Sequence, residues 1–254
     1  MNQSVAASVT TTEDWLLNGR VRFHQPTNGY RVAIDPILLA ATVVARAGDR
    51  ALELGCGTGA AALCLHHRVP DCQIVGLDND AEMLALARQN ALLNEAGNGI
   101  NFVLGDVNTM PTQVAADPFD HVYSNPPYLP PGRADGRRGG DPQRRAAHIE
   151  SSADLPAWIE AMVGALKPKG RLTLVHRADR LDDLLAALRC HAGEIVVFPL
   201  WPKSGRTAKR VLVSARTGVA TPLRISPGLV LHENSGVYTE AARAVLENGA
   251  PLVI

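Results

Sequence analysis

A glycine-rich turn, Glu53-Leu54-Gly55-Cys56-Gly57-Thr58-Gly59, joins an apolar run at Ala51–Leu54 to a helical stretch that begins at Gly59 and reaches Arg68. Glycines in such a turn let the chain bend tightly and bring backbone against a ligand with no side chain in the way. A strand feeding a helix in this manner is one unit of a parallel sheet, and the rest of the chain repeats it. Ile74–Asp78 reads as a second strand, Ala81 to about Glu95 as an amphipathic helix, Phe102–Leu104 as a third strand and Phe119–Ser124 as a fourth. Beyond an irregular stretch, a helix over residues 152–167 runs into a turn at Lys169-Gly170 and a fifth strand at Arg171–Val175. A helix near residues 179–190 precedes strands at Ile195–Leu200 and Val211–Ala215. No helix separates that last pair, so the final strand enters antiparallel. The pattern predicts an α/β fold: a seven-stranded, mainly parallel sheet with the last strand antiparallel and helices on both faces.

The ends differ in character from this core, residues 50–216. Residues 1–49 read as an extension covering the ligand site. They comprise a polar start expected to fray, a small hairpin between Trp15 and Ala33, and a helix with Asp35 as N-cap and Pro36 as its first residue. Residues 217–254 form a short appendage ending in a helix from Thr239 to Glu247. Formal net charge is zero, which excludes a global field for nucleic acid or anionic membrane and leaves any such surface local. Four cysteines in a chain of this size make no disulfide framework, and no apolar run approaches the roughly 20 residues of a membrane span. The start, Met1-Asn2-Gln3-Ser4, lacks the regions of a signal peptide, so a cytoplasmic protein is expected. Cys64, His66, His67 and Cys72 lie close in sequence, but a short helix points them apart and no second ligand pair follows; no metal is expected.

Two acids restrict what the glycine loop can bind. Asp78 ends the second strand, where a carboxylate can accept from both hydroxyls of a ribose, and Asp106, after the third, can reach an adenine amino group. The loop is spaced G-x-G-x-G rather than G-x-G-x-x-G and holds no lysine to grip a phosphate. A nucleoside without phosphate, S-adenosylmethionine, fits better than a nicotinamide dinucleotide.

Asn125-Pro126-Pro127-Tyr128 follows the fourth strand. Its prolines lock the backbone and remove two N–H donors, so the turn presents carbonyl oxygens beside a carboxamide and an aromatic ring. Such a set accepts hydrogen bonds from a planar NH2 group and stacks on the flat system bearing it. A conjugated amine is a poor nucleophile because its lone pair is delocalised. Two fixed acceptors draw it toward tetrahedral geometry as a methyl group arrives, and no strong base is required. Methylation at cytosine C5 would want a cysteine near the fourth strand, and none lies between Cys72 and Cys190.

These stations resemble those of the class I methyltransferases, which have a Rossmann-like fold, and Asn125–Tyr128 resembles the Asn-Pro-Pro-Tyr motif of their amino-methylating branch. The resemblance covers roughly residues 50–215. It implies S-adenosylmethionine held by Glu53, Gly55, Cys56, Gly57, Gly59, Asp78, Asn79, Asp106, Val107 and Asn125. It further implies that the Asn125 side-chain oxygen and the Pro126 carbonyl accept the substrate N–H bonds, with Pro127 fixing the turn and Tyr128 stacking on the target. Gln25-Pro26-Thr27-Asn28-Gly29-Tyr30-Arg31, Asp35, Leu38-Leu39-Ala40, residues 208–213 and the tail from His232-Glu233 to Tyr238-Thr239-Glu240-Ala241 resemble a narrower family. These are the bacterial tRNA (adenine-N6)-methyltransferases, which modify the anticodon loop of a valine tRNA. Tyr30 and Arg31 stand open between cofactor lid and packing, and Asp35 reads as a cap rather than a ligand.

Arg133, Arg137, Arg138, Arg144 and Arg145 cluster after the tetrapeptide, and Lys203, Arg206, Lys209 and Arg210 form a second basic group. Contacts with tRNA phosphates are expected at both, with the target base flipped into the pocket. The same tetrapeptide serves a protein-glutamine methyltransferase acting on a translation factor or ribosomal protein, because an amide nitrogen is also planar. Those enzymes usually carry a sizeable helical domain before the glycine loop, where this chain has only the segment up to residue 50. A nicotinamide oxidoreductase and a non-catalytic nucleoside-binding module are the remaining alternatives. Oligomeric state stays open.

Overall fold

The computed structural model describes residues 10–28, 31–128 and 153–254. Strands β1 (Thr11–Leu16) and β2 (Val21–Pro26) form an antiparallel hairpin, closed by a turn in which Leu17, Asn18 and Gly19 have positive φ. Helix α1 (Asp35–Thr42) leads into the alternating core: β3 (Arg50–Leu54), α2 (Ala60–Arg68), β4 (Gln73–Asp78), α3 (Ala81–Leu93), β5 (Ile100–Leu104), a short α4 (Thr112–Ala115) and β6 (Phe119–Ser124). Then come α5 (Leu155–Gly164), β7 (Leu166–Arg177), a 3-10 turn at Ala178–Arg180, α6 (Leu181–Leu188), β8 (Ala192–Lys203) and β9 (Arg210–Thr217). The tail adds β10 (Arg224–Ile225), β11 (Leu229–His232) and α7 (Glu240–Leu246).

The large sheet runs β5-β4-β3-β6-β7-β9-β8, with β10 and β11 on the outer side of β8. Every pair is parallel except the two that β9 makes, antiparallel to β7 and β8. The seven expected strands are all present, and the last is inserted antiparallel between its two predecessors. Two short tail strands raise the count to nine. Strand order reverses between β3 and β6, which opens a crevice at their carboxyl ends. The strands are covered on both sides and read accordingly as apolar runs. On one face Leu38, Leu39, Leu63, Leu65 and Tyr123 pack with α1, α2, α3 and α7; on the other, Leu52, Leu54, Ile159, Leu172 and Leu174 pack with α5 and α6.

The hairpin starts earlier than the sequence reading, at Thr11 rather than Trp15, and two features at helix ends also depart from it. Helix α5 stops at Gly164 rather than 167: Phe119 N–H donates to Ala165 O at 2.9 Å, drawing the chain into the sheet, and Pro168 bars a helix. Asp35 is not an N-cap. Ile34 holds that position, and Asp35 is the first helical residue with its carboxylate engaged elsewhere. The tail is tied in near its end: Leu252 N–H donates to Ala41 O at 2.8 Å and Arg20 Nη1 to Glu247 O at 2.6 Å. Among the described residues no helix is long and apolar enough to cross a membrane.

The hairpin sits on α3 through two asparagines one turn apart. Asn90, fully buried, accepts from His24 N–H at 2.7 Å and donates to the carbonyls of His24 and Thr58 at 2.9 and 3.0 Å. Asn94 accepts from Arg22 N–H at 3.0 Å and donates to Arg22 O. The outer edge of β2 thus finds on helix side chains the partners a neighbouring strand would have supplied.

Candidate active site

The carboxyl end of β3 carries Gly55, Gly57 and Gly59 at φ 69, 51 and 81°, all left-handed. At Gly59 a Cβ would also stand 2.8 Å from the Phe102 ring, so conformation and space both demand glycine there. Gly55 and Cys56 N–H groups converge on Leu77 O at 2.8 and 3.1 Å, pinning the loop to β4. Asp78, ending β4, accepts from Gly57 N–H at 2.7 Å and from Asp80 N–H at 2.9 Å, so it ties the loop to the start of α3. Burial raises its pKa; the N–H groups of Asp80 and Gly57 act against that shift. At the end of β5 Asp106 accepts from Asn108 N–H and Nδ2 at 2.9 and 3.0 Å, with Val107 buried next to it; Asn79, next to Asp78, is exposed. Gly105 N–H donates to Asp78 O at 3.0 Å, which joins this station to the previous one.

Glu53 lies under the loop, in register beside Tyr123. Both side chains are buried, and Glu53 Oε2 and Tyr123 Oη have no hydrogen-bond partner among the described residues. Burial pushes the Glu53 pKa well above the carboxylate range, while the Ala62 N–H acts in the opposite direction. Burial likewise raises the Cys56 thiol, so Cys56 is no nucleophile at neutral pH. Asp78 and Asp106, with the protonated Glu53 carboxyl beneath them, line a cradle without a basic residue in the loop. An anionic phosphate would be repelled there, whereas a nucleoside bearing positive charge fits.

Across the crevice, the Ser124 hydroxyl donates to Leu54 O at 2.7 Å, fully buried, and fixes the tetrapeptide against the glycine loop. Asn125 is half-buried and Pro126 buried, with Pro127 half-buried. Tyr128 is packed inside the protein: the Arg210 guanidinium lies 4.7 Å over its ring and the His176 ring meets it edge-on at 5.3 Å. Its hydroxyl contacts Asn125 Oδ1 and lies 3.2 Å from Asp35 Oδ2, which also accepts from Arg210 Nε at 3.2 Å. Arg180 Nη1 donates to Tyr128 O at 2.9 Å.

Arg210, expected to meet tRNA, is therefore engaged with Tyr128 and Asp35, whereas Lys209 and Arg206 are exposed. Lys203 donates to Asn234 O at 3.0 Å. Since β8 runs parallel to β3 through the sheet, the turn from Lys203 to Arg210 stands on the carboxyl edge with the site. Arg133, Arg137, Arg138, Arg144, Arg145 and Tyr30 lie outside the described residues. Arg31 bonds Asp14 at 2.9 and 3.1 Å, and buried Gln25 bridges Asp14 to Val32 N–H, so this segment braces the chain leaving the hairpin. Ser124 and His176 escaped the sequence reading, although each is a polar residue closing an apolar strand. Nothing local in the sequence could place Asp35 beside Tyr128, 93 residues away.

A family model described as a methyltransferase domain matches residues 45–198. A tRNA1(Val) (adenine(37)-N6)-methyltransferase of Bacteroides thetaiotaomicron is 30% identical over 186 residues, 72% of this chain and 76% of the relative. A release factor glutamine methyltransferase of Deinococcus radiodurans is 35% identical over 155 residues, 59% of this chain and 53% of the relative. A solved structure described as a predicted O-methyltransferase from Agrobacterium tumefaciens aligns with TM-score 0.71 at 25% identity, over 87% of this chain and 99% of that one. Fold, cradle and relatives agree: the chain belongs to the S-adenosylmethionine-dependent class I methyltransferases and is similar, within them, to the family named for N6 methylation of tRNA1(Val) adenine.

Proposed function

We propose that this enzyme methylates the exocyclic N6 amine of an adenine in tRNA, in the anticodon loop of a valine tRNA. One observation carries the reading: the Ser124–Leu54 hydrogen bond, 2.7 Å, locks the carboxamide-bearing turn to the glycine loop, so acceptor groups and cofactor cradle share one crevice. S-adenosylmethionine supplies the methyl group. Glu53, Gly55, Cys56, Gly57, Gly59, Asp78, Asn79, Asp106 and Val107 would hold it. Asn125 and the Pro126 carbonyl accept the amine N–H bonds and keep the nitrogen lone pair directed out of conjugation. The proton becomes acidic once nitrogen is alkylated and leaves to water. The exposed cations of the β8–β9 turn stand on the same edge and suit a polyanion, and the similarity to a relative named for tRNA1(Val) supports RNA as the acceptor. Such an enzyme would work in the cytoplasm.

A protein glutamine amide is the second reading, favoured by the 35% identity to a release factor glutamine methyltransferase. Radiolabelled methyl transfer to total tRNA and to a protein extract, followed by nucleoside mass analysis, separates the two. N6-methyladenosine in tRNA supports the first; label confined to protein sinks it. Replacing Asn125 with Ala should lower kcat by roughly 100-fold or more on the true acceptor, as for other lost transition-state contacts.

A further inference from the structure

Two buried polar atoms beneath the glycine loop lack partners among the described residues: Glu53 Oε2 on β3 and Tyr123 Oη on β6, residues paired in register. The Tyr123 hydroxyl stands near enough to favour a charged Glu53 carboxylate, yet is not aligned into a hydrogen bond. Ala62, in the first turn of α2, offers the carboxyl its N–H. The remaining surroundings oppose a negative charge. Asp78 of β4 brings one of its own, and the buried Cys56 and Cys64 stay thiols. Two cations reach the cluster, Arg68 on the Tyr123 side and Arg88 on the Cys56 side, and both are turned elsewhere. Arg68 donates to the carbonyls of Ala40 and Val43 at 2.8 and 2.5 Å, and Arg88 to Phe102 O at 2.8 Å. Glu53 thus has hydrogen-bond donors at hand for a carboxylate, but no countercharge.

A countercharge is what separates the methyl donor from its product. S-adenosylmethionine carries a sulfonium, an ammonium and a carboxylate, hence one net positive charge. In S-adenosylhomocysteine the sulfonium has become a thioether and the net charge is gone. We propose that Glu53 discriminates donor from product: it sheds its proton to water when the cationic donor fills the cradle, with Tyr123 closing a hydrogen bond on the new carboxylate, and recovers a proton once the sulfonium is a thioether. The idea rests on the cradle being the cofactor site, as argued above. On transfer the S–CH3 bond breaks with its electron pair left on sulfur, and the N–CH3 bond forms from the amine lone pair. The surplus amine proton goes to water, and Glu53 takes one proton back from water. A carboxylate under the loop holds the donor, whereas a neutral carboxyl lets the product leave.

Calorimetric titration of the full-length enzyme near pH 7, in two buffers of different ionisation enthalpy, counts the protons exchanged on binding. S-adenosylmethionine should release about one proton and S-adenosylhomocysteine close to none. Because protons leave on binding, donor affinity should rise with pH, by up to about tenfold per unit, while product affinity stays level. Glu53→Gln should abolish the release and cut donor affinity roughly 10-fold, with product affinity held within about twofold. Tyr123→Phe, which keeps the packing and removes the hydroxyl, should weaken the donor by roughly 3- to 10-fold and spare the product. Infrared difference spectra give a direct signature. A protonated-carboxyl band should vanish with the donor, persist with the product and be missing from Glu53→Gln. Equal proton counts for the two ligands, release that persists in Glu53→Gln, or a band that survives donor binding would each overturn the proposal. A donor that does not bind at all would instead overturn the cradle as the cofactor site, and the proposal with it. None of these readouts depends on whether RNA or protein accepts the methyl group.

Discussion

Glu53 keeps a buried carboxyl group, with one oxygen lacking a partner among the described residues. The unfolded chain releases this proton from about pH 4.5 upward, its ordinary value, while the fold retains it. The native state then binds more protons, so stability falls as pH rises through that window. Glu53→Gln should accordingly stabilise the free enzyme at pH 7.5 by about 1 kcal/mol or more, roughly 2–4 °C in Tm, and the gain should vanish toward pH 4.5. Cofactor affinity should drop at the same time, which calorimetric titration would measure. His176 shows the opposite linkage. It is fully buried, neither ring nitrogen has a hydrogen-bond partner among the described residues, and burial, with Arg180 nearby, holds its pKa down at about 4 against an ordinary 6.5. Below pH 6.5 the unfolded imidazole takes a proton that the folded one refuses, so stability is lost as pH falls. The loss should reach about 3 kcal/mol by pH 4. Urea melts at pH 7.5 and 4.5 should show a smaller decline in His176→Phe than in wild type.

At the level of elements, the seat of the hairpin on α3 is the most exposed to a single change. Asn90→Ala strips partners from His24 N–H and from the carbonyls of His24 and Thr58, at a cost of about 2–4 kcal/mol. Because Thr58 belongs to the glycine loop, cofactor binding should weaken with it. Amide exchange along β2 should accelerate well ahead of global unfolding; unaltered exchange there would contradict this account of the seat. That seat was invisible in the sequence, where Asn90 and Asn94 look like the polar face of an amphipathic helix. The strand-end stations were legible because their signals are local: glycines with positive φ at a turn, and acids such as Asp78 and Asp106 where apolar runs stop. The α5–β7 boundary was misread because Ala165 and Leu166 suit helix and strand equally, and only pairing with Phe119 decides between them. Strands β10 and β11 are too short, and Arg224 and Ile225 too exposed, to carry a readable alternation.

For the whole molecule, a net charge of zero conceals an uneven distribution. Parallel strands bring all their carboxyl ends to one edge, and Lys203, Arg206 and Lys209 stand on that edge. The tRNA KM should therefore climb tenfold or more between about 50 and 200 mM salt, and Lys209→Ala should shallow that log–log dependence by about one. A salt-independent KM would argue against phosphate recognition on this edge. The same view of the molecule gives the asparagine pair on α3 a further meaning. Four residues of helix advance about 6 Å and two residues of strand about 6.7 Å, so the two rulers agree over a single repeat and drift apart by about 2 Å after three. Arg22 and His24, two apart on β2, thus meet Asn94 and Asn90, four apart on α3, with neither element distorted. The glycine loop is gripped by the same Asn90, so the hairpin and the loop are positioned by one side chain.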